Sequence, residues 1–274
     1  MHYDPIKQFL SKLFDRHAFT RKLFYFLLDV LLLRSWYVGK ALKKYRFSRK
    51  GDQKLHVLDA GSGLGQYSWR MARKCPSWQI TAVDIKKDEV ASCNAFFKQQ
   101  KINNVSFMTA NLVDYVHPNR FDLILSVDVM EHIEEDRQVF KNFYESMKGD
   151  GMLLISTPSD LGGSDVMEEG DRSFIEEHVR DGYSAEDIRS KLFDAGFNEV
   201  TIKYTYGKPG SLAWRISMKY PVLMLGKSRA FLFLLPFYYL AVMPFALLLN
   251  LWDVKKTHNK GTGLLVQARK NLKA

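Results

Sequence analysis

Between residues 51 and 207, short and almost unbroken apolar runs alternate with longer stretches whose apolar positions recur every three or four residues. The short runs predict buried strands and the long ones predict helices packed on them. Strands are expected at 55–58, 80–83, 105–110, 121–127, 152–158 and 199–206, with a last one at 261–270. Helices are expected at 66–74, at 87–100 and across the segment that places Val139, Phe140, Phe143 and Met147 on one inner face. A further helix is bracketed by its own end signals: Ser184 caps it, Asp187 follows three residues later, and Gly196 stops it. Between the fifth strand and that helix, residues 159–181 are acidic and contain glycine. They are expected to form a mobile loop that carries His178.

Two flanking segments break the alternation. Residues 5–45 read as helices, and within them 23–33 is apolar apart from Asp29. Eleven residues are too few to cross a bilayer. Bases surround this run: Arg16, Arg21 and Lys22 before it, Arg34, Lys40, Lys43 and Lys44 after it. It reads either as a helical cap over the site or as an interfacial helix, and the two are compatible. Later, residues 230–249 carry no charge and are interrupted by Pro236 and Pro244. That length permits a membrane span, but a last strand returning beside the sixth would put both ends of the insertion on one side. A broken helical hairpin dipping into one leaflet is therefore expected. The alternative is an apolar subdomain folded onto the protein or onto a homodimer partner.

Charge sharpens this division. The chain carries a net +10, yet residues 51–199 hold sixteen bases against twenty-six acids, while 1–50 and 200–274 are +9 and +11. An acidic middle disfavours nucleic acid as a partner. Basic, apolar flanks suit the anionic cytoplasmic face of a membrane, so a monotopic or peripheral protein is expected. Cys75 and Cys93 have no metal-ligand spacing and fit a reducing compartment. The start, MHYDPIKQFL, does not read as a cleavable signal peptide.

The chemistry starts at the first strand, which runs through Asp59 into Gly61, Gly63 and Gly65. Three glycines let the backbone turn sharply and approach a ligand, with the next helix presenting its free N–H groups. A dinucleotide fingerprint would place its third glycine at position 66, where Gln66 stands. The spacing G-x-G-x-G favours a nucleoside without a pyrophosphate. Asp84 ends the second strand, where its carboxylate can accept from both hydroxyls of a ribose. Asn111 follows the third strand, where asparagine is a common turn residue. Asp128, Glu131 and His132 follow the fourth; on a helical turn, this spacing would put all three on one side.

VLDAGSGLG, AVDI, DVMEHI and LLISTP, in this order, resemble the class I S-adenosylmethionine-dependent methyltransferases, in particular the ubiquinone-biosynthesis O-methyltransferase branch. The resemblance covers roughly residues 51–207. It implies an α/β, Rossmann-like sheet of seven mostly parallel strands with helices on both faces, here with the helical cap (1–50), the hydrophobic insertion (208–260) and the last strand and tail (261–274) added. It implies S-adenosylmethionine held by Asp59, Ala60, Gly61, Gly63, Gly65, Asp84, Ile85, Asn111, Leu112 and Asp128, with Asn111 at the adenine, as the alternative to its turn role. Glu131, His132 and His178 would face the acceptor. In ubiquinone O-methyltransferases and small-RNA 2'-O-methyltransferases, a similar acid-x-x-Glu-His with a distant His holds a divalent metal. The corresponding set is Asp128, Glu131, His132 and His178, for magnesium, manganese or zinc, although Asp128 is shorter than the usual Glu. The rival readings are metal-free catalysis with His132 or His178 as base, and a purely structural His132. The expected reaction is methylation at oxygen of an amphipathic, lipid-like molecule of quinone or phenol type. The other readings are a methyltransferase acting on RNA or protein, and a non-catalytic membrane-bound cofactor-binding module.

Overall fold

The computed structural model describes residues 18–49, 53–162 and 179–270. The helices expected before residue 18, the loop at 163–178 with His178, and the tail after 270 lie outside them. Two helices, α1 (Ala18–Leu31) and α2 (Leu33–Ser48), precede the sheet. Then come β1 (His56–Ala60), α3 (Gln66–Lys74), β2 (Gln79–Asp84), α4 (Lys87–Gln99), β3 (Val105–Thr109) and β4 (Phe121–Val127). These are followed by α5 (Asp136–Ser146), β5 (Met147–Pro158), α6 (Ala185–Asp194) and β6 (Glu199–Thr205). After a helical insertion, β7 (Gly263–Arg269) completes the sheet.

The seven strands are ordered β3-β2-β1-β4-β5-β7-β6. β7 lies between β5 and β6 and is antiparallel to both, while the other pairs are parallel. The apolar strands alternate between two buried faces. Leu58, Ala60 and Ile124 meet Phe140, Phe143, Ile188 and Leu192 of α5 and α6. Val57, Leu123 and Leu125 meet Tyr37, Val38, Leu42 and Met71 of α2 and α3. Met147 is expected on the helix but begins β5, pairing with Phe121 before the register shifts. It is still fully buried, so the core position was right and the element boundary was not.

The first flank is a cap in two pieces, broken where Leu32 takes extended dihedrals. Arg21, one of the supposed flanking bases, is buried; its guanidinium donates to Leu64 O (3.0 Å) and Ser92 Oγ (2.7 Å). Tyr25 OH donates to the same Leu64 carbonyl. The cap therefore sits directly on the glycine turn.

The insertion forms a helical hairpin. Its outgoing limb is α7 (Lys208–Trp214), a π turn (Arg215–Lys219) and α8 (Tyr220–Lys227); a 3-10 turn (Arg229–Phe233) leads to the returning α9 (Leu235–Lys255). A π turn displaces carbonyls from the i→i−4 ladder. Here Ile216 O and Ser217 O accept from Tyr238 OH (2.6 Å) and Tyr239 OH (3.1 Å) of α9, which joins the limbs. The expected break falls before α9 and not at both prolines. Pro236 occupies the first turn, where no amide donor is needed, and Pro244 is carried inside the continuous helix. At its base the hairpin is tied by Asp253, which is fully buried. Its Oδ1 accepts from Tyr37 OH (2.6 Å) and its Oδ2 from Gly210 N (2.8 Å), with His258 Nε2 at 3.2 Å. His258 lies so close to Gly207 that a Cβ there would fall 2.1 Å from Nδ1.

Candidate active site

The carboxyl ends of the parallel strands form the crevice where open α/β sheets take ligands. At β1, Gly61, Gly63 and Gly65 all lie in the left-handed region, with φ of 77°, 48° and 80°. Gly61 N and Ser62 N donate to Val83 O (2.8 and 2.9 Å), which fixes the turn against β2. A side chain at Gly61 would collide with Val129, whereas one at Gly63 would meet nothing nearer than 3.7 Å. Gly63 therefore leaves open space beside its backbone. Asp84 ends β2, with Oδ2 accepting from Gly63 N (2.7 Å) and Oδ1 from Lys86 N (3.0 Å). The turn and the second-strand acid are thus one bonded unit. Asp59 sits beneath them, buried, accepting from Ser68 Oγ at 2.6 Å. Burial raises its pKa to about 6, with neighbouring Asp84 adding to the rise and Ser68 opposing it.

At β4 the chain leaves through Asp128, whose φ is +51°, and at β6 through Tyr206, at +55°. Both are non-glycine residues in left-handed conformations, a cost of about 1–3 kcal/mol each that tends to collect at functional sites. One cation links them. Arg34, in the first turn of α2, forms an ion pair with Asp128, and its amide donates to Tyr206 OH at 3.1 Å. Partial burial opposes the guanidinium's charge, but Asp128, followed by Tyr67 and Tyr206, holds its pKa above the ordinary value. Burial likewise lifts the Tyr67 phenol to about 12, against the pull of Arg34.

A sequence model of the methyltransferase domain matches residues 51–194, just over half of the chain. The chain belongs to the methyltransferase domain family. Its fold and family are those of S-adenosylmethionine-dependent methyltransferases. It is 32% identical over 99 residues to (S)-coclaurine N-methyltransferase of Papaver somniferum, covering 36% of this chain and 28% of that one. It is 25% identical over 104 residues to the ubiquinone biosynthesis O-methyltransferase of Rickettsia conorii, covering 38% and 35%. The chain spans half or less of the length of the curated relatives it matches. Phosphoethanolamine N-methyltransferase 2 of Haemonchus contortus, solved with S-adenosyl-L-methionine, superposes with a TM-score of 0.61 at 17% identity, covering 91% of this chain and 60% of that one.

Within this methyltransferase domain, the remaining expected site residues fall into different settings. Ala60 is buried in the sheet, and Ile85, 63% exposed, presents an apolar face beyond Asp84. Asn111 is exposed, and its Oδ1 accepts from Val113 N (3.1 Å), which is the turn role. The Leu112 side chain packs into the core beside α5, so its side chain does not face the crevice.

The expected convergence of Asp128, Glu131 and His132 does not form. That expectation required one helix through residues 128–132. Asp128 is left-handed, and only a single 3-10 turn, Met130–His132, follows. Glu131 turns inward instead and is buried, accepting from Thr157 Oγ1 at 3.1 Å. Burial and then Asp128 raise its pKa to about 8, so it is mostly protonated at neutral pH. Among the described residues no three His, Cys, Asp or Glu side chains are placed to hold a metal ion. His178, the fourth expected ligand, lies outside them. After it, Val179 N donates to Glu131 O at 3.1 Å.

Arg34, Tyr67 and Tyr206 belong to no recognisable motif. The sequence reading grouped Arg34 with the bases flanking an apolar run, and nothing local distinguishes it from them.

Proposed function

We propose that this protein transfers a methyl group from S-adenosylmethionine to oxygen on an amphipathic acceptor of quinone or phenol type at the cytoplasmic surface of a membrane. The observation that carries the cofactor assignment is the bonded unit of Gly63 and Asp84. Its carboxylate suits a ribose diol, the backbone at Gly63 admits close approach, and exposed Ile85 suits a base face. Ser62 Oγ, in the same turn, is buried without a partner among the described residues, a polar atom that a ligand would satisfy.

When bound, S-adenosylmethionine supplies an electrophilic methyl. The protein's part is to hold the acceptor oxygen in line with it and to receive the hydroxyl proton. Glu131 is already protonated near neutral pH and is a poor base; Asp128 is engaged by Arg34. His132, half-buried on the 3-10 turn at this edge, is the described group best suited to take the proton. The retained Asp128 and His132 at this edge disfavour a non-catalytic module, and the acidic middle of the chain disfavours RNA as acceptor.

The membrane reading rests on the hairpin. α9 is long and apolar enough to cross a membrane, and only 11% of its apolar window is buried. Phe237, Leu240, Phe245 and Leu248 stand on its surface, with Leu240 79% exposed. Phe19 and Phe26 of α1 are exposed as well. Both hairpin ends return to the base at Asp253, so a limb of about 30 Å, lying oblique to the membrane, can enter one leaflet without a net crossing. Each large side chain buried in lipid contributes about 1.5–3 kcal/mol.

Two assays test this. Labelled cofactor incubated with the protein and a total membrane lipid extract should place label in an amphipathic fraction; label only in RNA or protein would overturn the acceptor class. Replacing Phe237, Leu240, Phe245 and Leu248 by Ser should move the protein from vesicles to the supernatant as a monomer. A wild-type protein that stays off vesicles, as a dimer that the four substitutions dissolve, would make this face a homodimer contact instead.

A further inference from the structure

Away from the crevice, α2 and α3 enclose a cleft of about 260 Å³. Lys43, Arg46, Arg70 and Lys74 line it over a floor that includes Met71 and Trp78, and among the described residues no carboxylate lines it. Arg70 is accounted for by the fold: it donates to Ser35 O (2.7 Å), lies 3.5 Å from Asp29, and occupies the space that a side chain at Gly39 would need. Lys43, Arg46 and Lys74 have no carboxylate partner among the described residues. Lys43 and Arg46 are also one helical turn apart, a like-charge pair that is unfavourable on a helix by itself. Three cations from two helices facing one cleft with no acid is the arrangement that an anion relieves.

We propose that this cleft binds a phosphate ester, with Lys43, Arg46 and Lys74 as its charged ligands. A guanidinium fork beside two ammonium groups matches a multiply charged oxyanion better than a single carboxylate. The volume accommodates a phosphate with a small substituent and falls below the usual range of about 300–1,000 Å³ for drug-sized ligands. Phe47, 71% exposed, forms an apolar lip over which Lys43 Nζ lies 5.9 Å from the ring centroid. An ester with an organic substituent fits such a rim better than the bare ion. The site is separate from the cofactor crevice, since Arg46 is twelve residues, about 18 Å along α2, from Arg34. It does not depend on the methyl-transfer reading.

The ester has two sources, a phospholipid headgroup or a soluble phosphate metabolite, and the test separates them. The full-length protein is titrated with glycerol phosphate by calorimetry and sedimented with vesicles of phosphatidylglycerol in phosphatidylcholine. The Lys43→Ala/Arg46→Ala variant is compared with a Lys98→Ala/Arg189→Ala control of equal charge loss, two exposed bases of the acidic middle. Neither Lys43 nor Arg46 makes an ion pair with a described residue, and S-adenosylmethionine binding checks that the fold is intact. The expected result is at least a tenfold loss in the cleft variant and little change in the control. Loss confined to vesicles identifies a lipid headgroup; loss confined to glycerol phosphate identifies a soluble ester. Equal loss in both variants, or none in either assay, overturns the proposal.

Discussion

Arg34 and Asp128, ninety-four positions apart, form an ion pair that joins the helical cap to the end of the fourth strand. Their side chains are 38% and 27% exposed, so solvent screens much of the attraction. The pair therefore matters for position more than for stability. It holds α2 against two left-handed residues, Asp128 and Tyr206, at the mouth of the crevice.

Arg34→Ala should lower kcat by about ten- to a hundredfold while costing no more than about 1 kcal/mol of stability. Arg34→Lys should recover only part of the rate, because an ammonium lacks the planar fork. Steady-state kinetics beside urea denaturation separates the effects. A variant destabilised by more than about 1 kcal/mol that keeps the wild-type kcat would contradict this assignment.

Glu131 predicts a pH dependence of stability. Its folded pKa, about 8, lies above the ordinary value of 4.5 because burial favours the neutral acid. The folded state then binds more protons than the unfolded state between these values. The contribution is complete below about pH 4.5 and is lost as pH rises toward 8. Asp59 acts with the same sign between 3.8 and about 6. Glu131→Gln should therefore gain stability relative to wild type on going from pH 5 to pH 8, on the order of 1–3 kcal/mol at about 1.4 kcal/mol per pKa unit. Urea midpoints at the two pH values check it; parallel curves would contradict it.

Much of this architecture is readable from the residues because it rests on local signals. Alternating apolar runs locate the strands, Ser184 marks a helix start that the structure confirms through Asp187 N (3.0 Å), and glycine spacing marks the turn. The return of β7 beside β6 also implies a hairpin whose two ends lie together. What fails is what depends on backbone conformation or distant partners. The spacing of Asp128, Glu131 and His132 suggests a shared face only if a helix runs through them, and a left-handed Asp128 prevents that. Asn111 has two roles open to it, and only the bond from Val113 N selects the turn. Arg34 looks like one more base on an apolar flank until folding brings it to Asp128.

Asp253 predicts how the hairpin is fastened. Replacing it with Ala leaves Gly210 N buried without its acceptor and Tyr37 OH with only the Asp253 main-chain carbonyl (2.9 Å), which should cost about 1–3 kcal/mol. Asp253→Asn keeps one acceptor oxygen and should cost less. Limited proteolysis should cut the Ala variant first between residues 208 and 260 while the sheet persists. Cleavage no faster than in wild type would show that the hairpin is held by other contacts.

The most direct test of the central claim is calorimetric titration of S-adenosylmethionine into wild type and Asp84→Ala. Asp84 is bonded to the glycine turn and placed to accept from a ribose, and losing charge-assisted bonds worth about 1.5–3 kcal/mol corresponds to roughly ten- to a hundredfold in affinity. The predicted result is saturable wild-type binding, weakened by at least that factor in Asp84→Ala at a temperature where both proteins are folded. No binding to the wild type, or equal affinity in both proteins, would contradict the account.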